Sequence, residues 1–317
     1  MTILHNSLER LPAAAEGCVL AIGNFDGVHR GHRALIGQAR ALAATLQAPL
    51  GVITFEPHPR RFFQPAAEPF RLTLLPMKQR LMAELGVEHL FDVPFDRQLS
   101  LLTGEEFIDR ILVQRLKARL VAVGENFVFG RDRSGTVRTL DAAAAAGKFK
   151  LSVMPSALSP QGQAYSSTAI RELLQQGQFF AAEELLGWSW QIEAPVVSGD
   201  KRGRTLGYPT ANQNVPEYVR IPYGIYAVRL RIEGETVWRD GVANFGIRPM
   251  FQIAQPIFET FIFDFSGDIY GKNLCVQPLQ HLRPEMSFPN IAALTAQMKE
   301  DCIAAKAVLK SIRRSFA

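Results

Sequence analysis

The chain has 317 residues, about twice the length of a typical domain, and this length predicts two domains with separate hydrophobic cores. Hydrophobic residues make up 47% and charged residues 21%, a balance typical of folded proteins that excludes wholesale disorder and collagen-like repeats. The formal net charge of +5 is not concentrated in any block of lysine and arginine. We therefore interpret the net positive charge as compatible with phosphate-bearing ligands, and we do not expect a polybasic arm.

The number of cysteines and the lengths of the apolar segments indicate in which cellular compartment the protein is expected. The three cysteines, Cys18, Cys275 and Cys302, are too few and too scattered for a disulfide framework or a tetrahedral zinc site, which favours a reducing, cytoplasmic compartment. Residues 1–17 lack a basic start followed by an apolar run, and no later stretch of about 18 residues is uncharged and apolar. We expect neither export nor a membrane span.

Strands and helices are predicted to alternate through the first 187 residues, because short apolar runs are separated by segments with helical spacing of their apolar residues. This alternation predicts an α/β domain with a parallel sheet. The predicted strands are 18–24, 50–57, 89–95, 119–127 and 150–156, and the predicted helices are 31–46, 76–86, 104–116, 142–146 and 166–177.

The pattern changes after Trp190 to short strands separated by glycine and proline. This pattern predicts a small antiparallel barrel, and the three-to-four-residue spacing of apolar positions over 290–315 predicts an amphipathic helix packed on it. The predicted domains are therefore 1–187 and 188–317. The predicted barrel strands are 191–199, 224–234, 235–246, 257–265 and 273–282.

The segment GNFDGVHRGH at 23–32 joins the first predicted strand to the first predicted helix, so its backbone amides lie at a helix N-terminus, which favours phosphate. His29 and His32 are three residues apart, so both imidazoles can donate to one phosphate group. The alternative is a chance pair of surface histidines. The candidate catalytic residues are His29 and His32, and the candidate phosphate-binding residues are Gly23, Asn24, Phe25, Asp26 and Gly31.

Two later segments offer further ligand-binding residues. In VGENFVFGRDRSG at 123–135, aromatic side chains beside arginines can hold a planar, phosphorylated ligand, or the phenylalanines can belong to the core and the arginines to the surface. In SSTAIR at 166–171, Ser167 or Thr168 begins a helix with Arg171 one turn later, so these residues can cap the helix or neutralise a triphosphate.

The segment GDKRGRTLGYPTAN at 199–212 begins with a glycine-flanked basic turn and ends in two oxygen-bearing side chains, Thr210 and Asn212. In a strand, these two alternate positions face the same side. Hydroxyl and amide oxygens suit Mg²⁺ bridging the phosphates of ATP, although a plain polar turn is the alternative. Downstream, Glu259 is the one carboxylate in an apolar strand, where it can act as a base or serve as a charge at a sheet edge.

These segments resemble two families. HRGH at 29–32 resembles the H-x-G-H signature of nucleotidyltransferases, and GNFDGVHRGH, TFEPHPRRFF, GENFVFG and SSTAIR occur in the order seen in bacterial bifunctional riboflavin kinase/FAD synthetases. GDKRGRTLGYPTAN, GVANFGIRP, FDF, IYG and LRPE are similar to the riboflavin kinase domain of that family. The chain departs from the family pattern at Met250, where threonine is usual, and at Phe261, where histidine is usual.

The resemblance implies a Rossmann-like nucleotidyltransferase domain followed by a riboflavin kinase barrel. It implies that the barrel phosphorylates riboflavin to FMN, with Glu259 as base and Mg²⁺-ATP held by Thr210 and Asn212. It also implies that the first domain joins FMN to AMP from a second ATP, giving FAD and pyrophosphate. Residues implied in nucleotide binding are Asn126, Ser167, Thr168, Arg171, Gly199, Lys201 and Gly203, and residues implied in flavin binding are Phe62 and Phe127.

Two alternatives remain at this stage. One is that a single activity survives, with Met250 and Phe261 making the kinase half the one that is lost. The other is a flavin-dependent nucleic-acid binder, since small barrels also bind oligonucleotides, but no basic stripe supports it. We expect small-molecule substrates and neither a nucleic-acid nor a membrane partner, and the sequence leaves the oligomeric state open.

Overall fold

The computed structural model describes residues 2–160, 162–199, 202–250 and 253–315. Within it the chain forms two compact units: the first comprises residues up to Glu68 together with Thr73–Ser167, and the second comprises Pro69–Leu72 together with residues from Thr168 onward. The contacts thus divide the chain near Ser167, whereas the sequence places the domain boundary at 187, which stays a prediction.

The first unit contains the predicted parallel sheet. It has six strands, and the chain also forms a separate two-stranded ribbon after the fifth strand. The strands in chain order are β1 (Ile3–His5), β2 (Val19–Ile22), β3 (Leu50–Glu56), β4 (His89–Pro94), β5 (Leu120–Gly124), β6 (Val128–Phe129), β7 (Gly135–Thr136) and β8 (Lys150–Met154). The order across the sheet is β1-β4-β3-β2-β5-β8, with every pair parallel, while β6 and β7 form the ribbon.

The helices of the first unit lie in the connections between these strands, as parallel pairing requires. One of them begins as an α-helix and continues as a π-helical segment, Ile108–Arg115. The helices are α1 (Arg30–Leu46), α2 (Pro59–Phe63), α3 (Leu75–Glu84), α4 (Arg97–Ser100), α5 (Gly104–Phe107) and α6 (Val137–Ala145).

The position of β2 in the sheet determines where a ligand can bind. All four residues of β2 are buried, as expected of a central parallel strand covered on both faces. The chain adds β3 and β4 on one side of β2 and β5 and β8 on the other, so the strand order reverses between β2 and β5. In open parallel sheets, ligands bind beside the carboxyl ends of the strands at this reversal, and here the loops 23–29 and 125–127 occupy that place.

The second unit contains a closed antiparallel barrel, as predicted, preceded by two helices and followed by one. The barrel closes because β9 pairs with both β10 and β14. The elements are α7 (Ser167–Gln175), α8 (Phe179–Leu186), β9 (Ile192–Val197), α9 (Arg202–Thr205), β10 (Thr210–Asn214), β11 (Gly224–Ile232), β12 (Arg239–Met250), β13 (Ile253–Ile262), β14 (Asn273–Arg283) and α10 (Ile291–Ser315).

The C-terminal helix packs on the barrel through one apolar stripe, as its spacing predicts. Ala305 and Leu309 are fully buried and contact Ala227 and Phe263 of the barrel side. Within the described residues, no helix of either unit is both long enough and apolar enough to cross a membrane.

We expect a histidine pair at the sheet edge to make the stability of the first unit depend on pH. His5 Nε2 and His89 Nδ1 are hydrogen-bonded at 3.0 Å. Burial lowers the pKa of His5, and the neighbouring His89 lowers it further. The folded chain therefore binds fewer protons at His5 than the unfolded chain does below about pH 6.5, so the free energy of unfolding falls as the pH decreases through that value.

We expect His5→Gln, which keeps a donor for His89 Nδ1 but does not titrate, to show a smaller loss of melting temperature than the parent chain between about pH 7.5 and about pH 5.5. The measurement is thermal unfolding of both proteins across this range. An equal decrease in the two proteins would show that the pair does not govern this pH dependence.

Candidate active sites

The two predicted histidines lie together at the N-terminus of α1. His29 is the N-cap residue and not part of the first helical turn, and its Nδ1 accepts a hydrogen bond from the backbone N–H of His32 at 3.3 Å. The two rings stack with centroids 3.6 Å apart and planes at 19°. The expectation that both imidazoles share one side of the helix start is therefore confirmed.

The cap fixes the tautomer of His29. Because Nδ1 accepts the amide hydrogen of His32, the neutral ring must carry its proton on Nε2. His29 is only 5% exposed, so the ring is held in one orientation by its surroundings. A Cβ atom at residue 31 would come within 3.1 Å of His29 Cε1 and 3.3 Å of Tyr165 Cβ, which explains why glycine occupies this position.

The loop before the helix is held by side chains from outside it. The buried carboxylate of Asp26 accepts the backbone N–H of Thr73 at 3.1 Å, and the Thr73 hydroxyl accepts the N–H of Gly27 at 2.9 Å. Ser167 donates its hydroxyl to the carbonyl of Asp26 at 2.8 Å. Phe25 has a positive φ of 48° and is fully buried, with its ring edge-on to His32 at 5.1 Å. The loop conformation is therefore held by contacts within the first unit itself.

Arg171 belongs to the second unit and has a structural contact of its own. Its Nε donates to the carbonyl of Phe70 at 2.7 Å, and its guanidinium lies 5.4 Å from the centroid of the Phe70 ring. Thr168 begins the same helix after Ser167. The predicted contacts of Arg171 and Thr168 with a nucleotide stay predictions.

The two predicted flavin-binding phenylalanines belong to one aromatic cluster at the carboxyl side of the sheet. Neighbouring ring centroids in this cluster are between 5.2 and 6.3 Å apart. Phe62 and Phe63 contact each other and Phe95, and the contacts continue from Phe95 through Phe55, Phe107 and Phe129 to Phe127. Phe62 and Phe127 are both partly exposed, and Asn126, next to Phe127, is exposed and donates to Ser156 Oγ at 3.3 Å.

In the second unit, the predicted catalytic and metal-binding residues line one cavity of about 610 Å³. The strand register explains why they meet: Asn212 of β10 lies opposite Glu259 of β13, and Thr210 lies opposite Phe261. The prediction that Thr210 and Asn212 face the same side is confirmed, since both line this cavity. Asn212 is 5% exposed, and its Oδ1 has no hydrogen-bond partner within the described residues.

Two glycines of the segment 199–212 allow other parts of the protein to pack directly against their backbone. A Cβ atom at Gly199 would clash with the side-chain amide of Asn212, and a Cβ atom at Gly203 would clash with the carbonyl oxygen of Tyr208. Gly203 also lines the cavity. The predicted phosphate-binding residue Lys201 lies outside the described residues, as does the side chain of Met250.

The cavity also contains residues that the sequence did not single out. Asn244 of β12 lies opposite Glu259 on the side away from Asn212, and its Nδ2 donates to Glu285 at 3.4 Å. Arg283 forms a two-pronged ion pair with Asp301 of α10, at 2.8 and 2.7 Å. GVANFG and LRPE were noted as family segments, but only the strand register and the helix packing place these side chains at the cavity.

Comparison with known proteins gives matches to both units. The FAD synthetase family matches residues 11–169, and the riboflavin kinase family matches residues 186–309. The "Bifunctional riboflavin kinase/FMN adenylyltransferase" of Escherichia coli (strain K12) is 38% identical over 303 residues, covering 96% of this chain and 95% of that protein. The protein of the same name from Bacillus subtilis (strain 168) is 35% identical over 291 residues, covering 89% and 90%.

A solved structure is similar over nearly the whole chain. The crystal structure of a "Macrolide-efflux Protein" from Streptococcus pneumoniae has a TM-score of 0.76 and 29% sequence identity, and the likeness covers 95% of this chain and 97% of that one. The two family matches follow one another along the chain, and the relatives of the same description are similar to this chain over both matched regions. The chain therefore belongs to the family of bifunctional riboflavin kinase/FMN adenylyltransferases.

Proposed function

We propose that the barrel of this chain phosphorylates riboflavin to FMN and that its α/β unit joins FMN to AMP from ATP, giving FAD and pyrophosphate. The observation that carries the proposal is that each family region holds its own polar site: the stacked His29 and His32 at a helix N-terminus, and Glu259 beside Asn212 in the barrel cavity. The alternative with one lost activity has no support from the cavity, because Glu259, Thr210 and Asn212 all line it.

In the barrel, Glu259 accepts the proton of the 5′-hydroxyl of riboflavin as that oxygen attacks the γ-phosphorus of ATP, and ADP leaves. Phe261, where the family usually has histidine, packs edge-on to Tyr208 with ring centroids 5.3 Å apart. The proposed base and oxygen ligands are separate side chains, so this substitution leaves the proposed reacting groups in place.

The oxygens of Thr210 and Asn212 suit Mg²⁺, because Asn212 Oδ1 is a buried acceptor without a partner in the described structure and hard cations prefer such oxygens. When bound, Mg²⁺ neutralises the charge of the ATP phosphates. Gly199 contributes by allowing Asn212 to keep its position, and Gly203 by lining the cavity without a side chain. Lys201 is proposed to contact phosphate on the basis of the sequence alone.

In the first unit, a phosphate oxygen of FMN attacks the α-phosphorus of ATP, and the bond to pyrophosphate breaks. His29 and His32 donate to the phosphate oxygens as charge develops, together with the backbone amides of Asn24 and Gly31. The N–H of Gly23 donates to the carbonyl of Ile53 at 3.2 Å, and Phe25 is fully buried, so we propose that these two residues shape the loop. The carboxylate of Asp26 already accepts from Thr73, so we propose that Asp26 contributes by shaping the loop. Asn126, Ser167, Thr168 and Arg171 are proposed to bind the nucleotide, and Phe62 and Phe127 to contact the flavin ring.

We further propose a cytoplasmic location, because Cys18, Cys275 and Cys302 are free and a reducing compartment keeps them so. The proposed partners are small-molecule substrates, with neither nucleic acid nor membrane among them. The charge sum and the absence of lysine and arginine blocks support this part of the proposal.

The test is incubation of the purified chain with riboflavin, ATP and Mg²⁺, with the flavins separated chromatographically over time. We expect FMN to appear first and FAD to follow. FMN without FAD would contradict the proposed histidine site, and unchanged riboflavin, with FAD still formed from supplied FMN, would contradict the proposed kinase site.

A further inference from the structure

The first unit contains a fully buried cation that none of the proposed catalytic steps uses. Lys78 of α3 is 0% exposed, and its Nζ donates to Thr54 Oγ1 at 2.8 Å and to Glu56 Oε1 at 3.3 Å. Thr54 and Glu56 lie in the carboxyl-terminal half of β3, next to β2. Burying an ammonium group is costly unless it is paired and hydrogen-bonded, so the position of this lysine requires an explanation.

The donors and acceptors of the hydrogen bonds at Thr54 are determined by the chemistry of Lys78. A lysine ammonium group can donate but cannot accept, so Thr54 Oγ1 must accept from Lys78. The single hydroxyl proton of Thr54 is then directed to the carbonyl oxygen of Asn24, 3.1 Å away. Lys78 thereby reaches the loop 23–29 through Thr54.

The carbonyl of Asn24 belongs to the peptide unit that joins Asn24 to Phe25. A peptide unit is planar, so a fixed carbonyl fixes the orientation of the whole unit. Phe25 follows directly, with a φ of 48° and a side chain that is fully buried. Its ring lies edge-on to His32, with the ring centroids 5.1 Å apart. The hydrogen bond from Thr54 is thereby linked to the position of the Phe25 ring beside the histidine pair.

We propose that Lys78 is a positioning residue for adenylyl transfer: through Thr54 it fixes the Asn24–Phe25 peptide and thereby the Phe25 ring that lies against His32. This inference rests on the proposed function of the first unit. Without the ammonium group, the Thr54 hydroxyl is free to turn to Glu56, and the peptide loses its fixed orientation. Because a preorganised hydrogen-bond donor such as His32 is most effective where charge develops, the loss falls on kcat more than on the KM for ATP.

The test compares two threonine-to-valine substitutions in the full-length chain. Thr54→Val removes the link to Asn24, whereas Thr2→Val removes another buried hydroxyl, which donates to the carbonyl of Val87 in the same unit but outside the loop. We expect Thr54→Val to lower kcat for FAD formation from FMN about tenfold or more, with the KM for ATP changed less than about threefold. Thr2→Val and the conservative Thr54→Ser are expected to stay within about twofold of the parent.

A double-mutant cycle tests whether Lys78 acts through Thr54. We expect Lys78→Met to lower kcat about as much as Thr54→Val, and the double variant to lose no more than the worse single variant. The riboflavin kinase rate of each protein measures the amount of active chain in the same sample. Since Lys78→Met removes a buried charge, the Thr54 pair provides the test that does not depend on that variant folding.

Three results would overturn the inference while the parent chain still makes FAD: an unchanged kcat in Thr54→Val, a Thr54→Ser variant as slow as Thr54→Val, or losses that multiply in the double variant. A parent chain that converts no FMN to FAD would instead contradict the proposed function itself. The rate of FAD formation by the parent protein therefore distinguishes failure of this inference from failure of the proposed function.

Discussion

Replacing His29 by asparagine is expected to abolish the conversion of FMN to FAD while the phosphorylation of riboflavin continues at the rate of the parent chain. The proposed site of the first reaction is the loop that ends in His29, and the proposed site of the second is the barrel cavity, which His29 does not line. Removal of one preorganised donor to a developing oxyanion typically lowers kcat by about 100-fold to 1,000-fold. We expect a loss of at least this size, since His29 also orients His32 by stacking.

Asparagine separates catalysis from helix capping. His29 caps α1 by accepting the N–H of His32, and loss of an N-cap costs about 1 kcal/mol of stability. Asparagine is a good N-cap residue, so His29→Asn keeps the cap and loses the imidazole, whereas His29→Ala loses both. If His29→Asn and His29→Ala lost FAD formation equally, the loss would be due to the missing imidazole ring and not to the missing helix cap. Restored FAD formation in His29→Asn would mean that His29 acts only as a cap.

The measurement is the rate of FAD formation from supplied FMN and ATP, with riboflavin phosphorylation measured on the same preparations. Thermal unfolding of both variants gives the cost of the lost cap independently. A parent-like rate of FAD formation in His29→Ala would contradict the role proposed for this residue.

The strands of the first unit were largely predictable because each is a short run of buried apolar residues between breakers. β2 and β3 lie within two residues of their predicted ends. The edge strand β1 was not predicted, since its three residues are exposed or half-buried and too few to show a period. Helix α8 was missed for a different reason: apolar and small residues dominate its sequence, so it has no clear polar face.

The helix predicted over 104–116 exists, but its larger part is π-helical. The buried residues Ile108, Leu112 and Leu116 are four residues apart, a spacing that an α-helix also shows, so the apolar pattern does not reveal the wider turns. Five of the six barrel strands were found from their breakers, whereas β10 (Thr210–Asn214) was not among the predicted barrel strands. The register of the barrel was not predictable from the pattern.

In the proposed sites too, local features were predictable from the sequence, whereas contacts between distant segments were not. Residues that are close in sequence, such as His29 and His32 or Thr210 and Asn212, were found from spacing alone. Asn244 reaches Glu259 only through the pairing of β12 with β13, and Lys78 reaches the loop only because α3 packs beside β3. Neither contact leaves a periodic signal in the sequence, because each joins segments that are distant along the chain.

The second large effect is expected at Glu259. Glu259→Gln keeps the size of the side chain and its place between Asn212 and Asn244, but an amide cannot take a proton from the riboflavin hydroxyl. General-base catalysis typically contributes about 100-fold to 10,000-fold, and we expect FMN formation to fall within this range. Conversion of supplied FMN to FAD is expected to be unchanged, because Glu259 lies in the other unit.

Glu233→Gln is the matched control for this substitution. Glu233 also belongs to the second unit and accepts the backbone N–H of Asn273 at 2.8 Å, but it does not line the cavity. Both variants lose one carboxylate, so a general effect of charge on the barrel should appear in both. Initial rates of FMN formation at saturating riboflavin and ATP distinguish them.

If Glu259→Gln phosphorylated riboflavin as fast as Glu233→Gln, then Glu259 would not be the base, and its position in the cavity would have a structural explanation. A selective loss in Glu259→Gln, with the KM for ATP unchanged, would instead place its contribution in the chemical step. ATP binding would then depend on other groups. The clearest candidate is the neighbouring Oδ1 of Asn212, which has no hydrogen-bond partner among the residues that the structure describes.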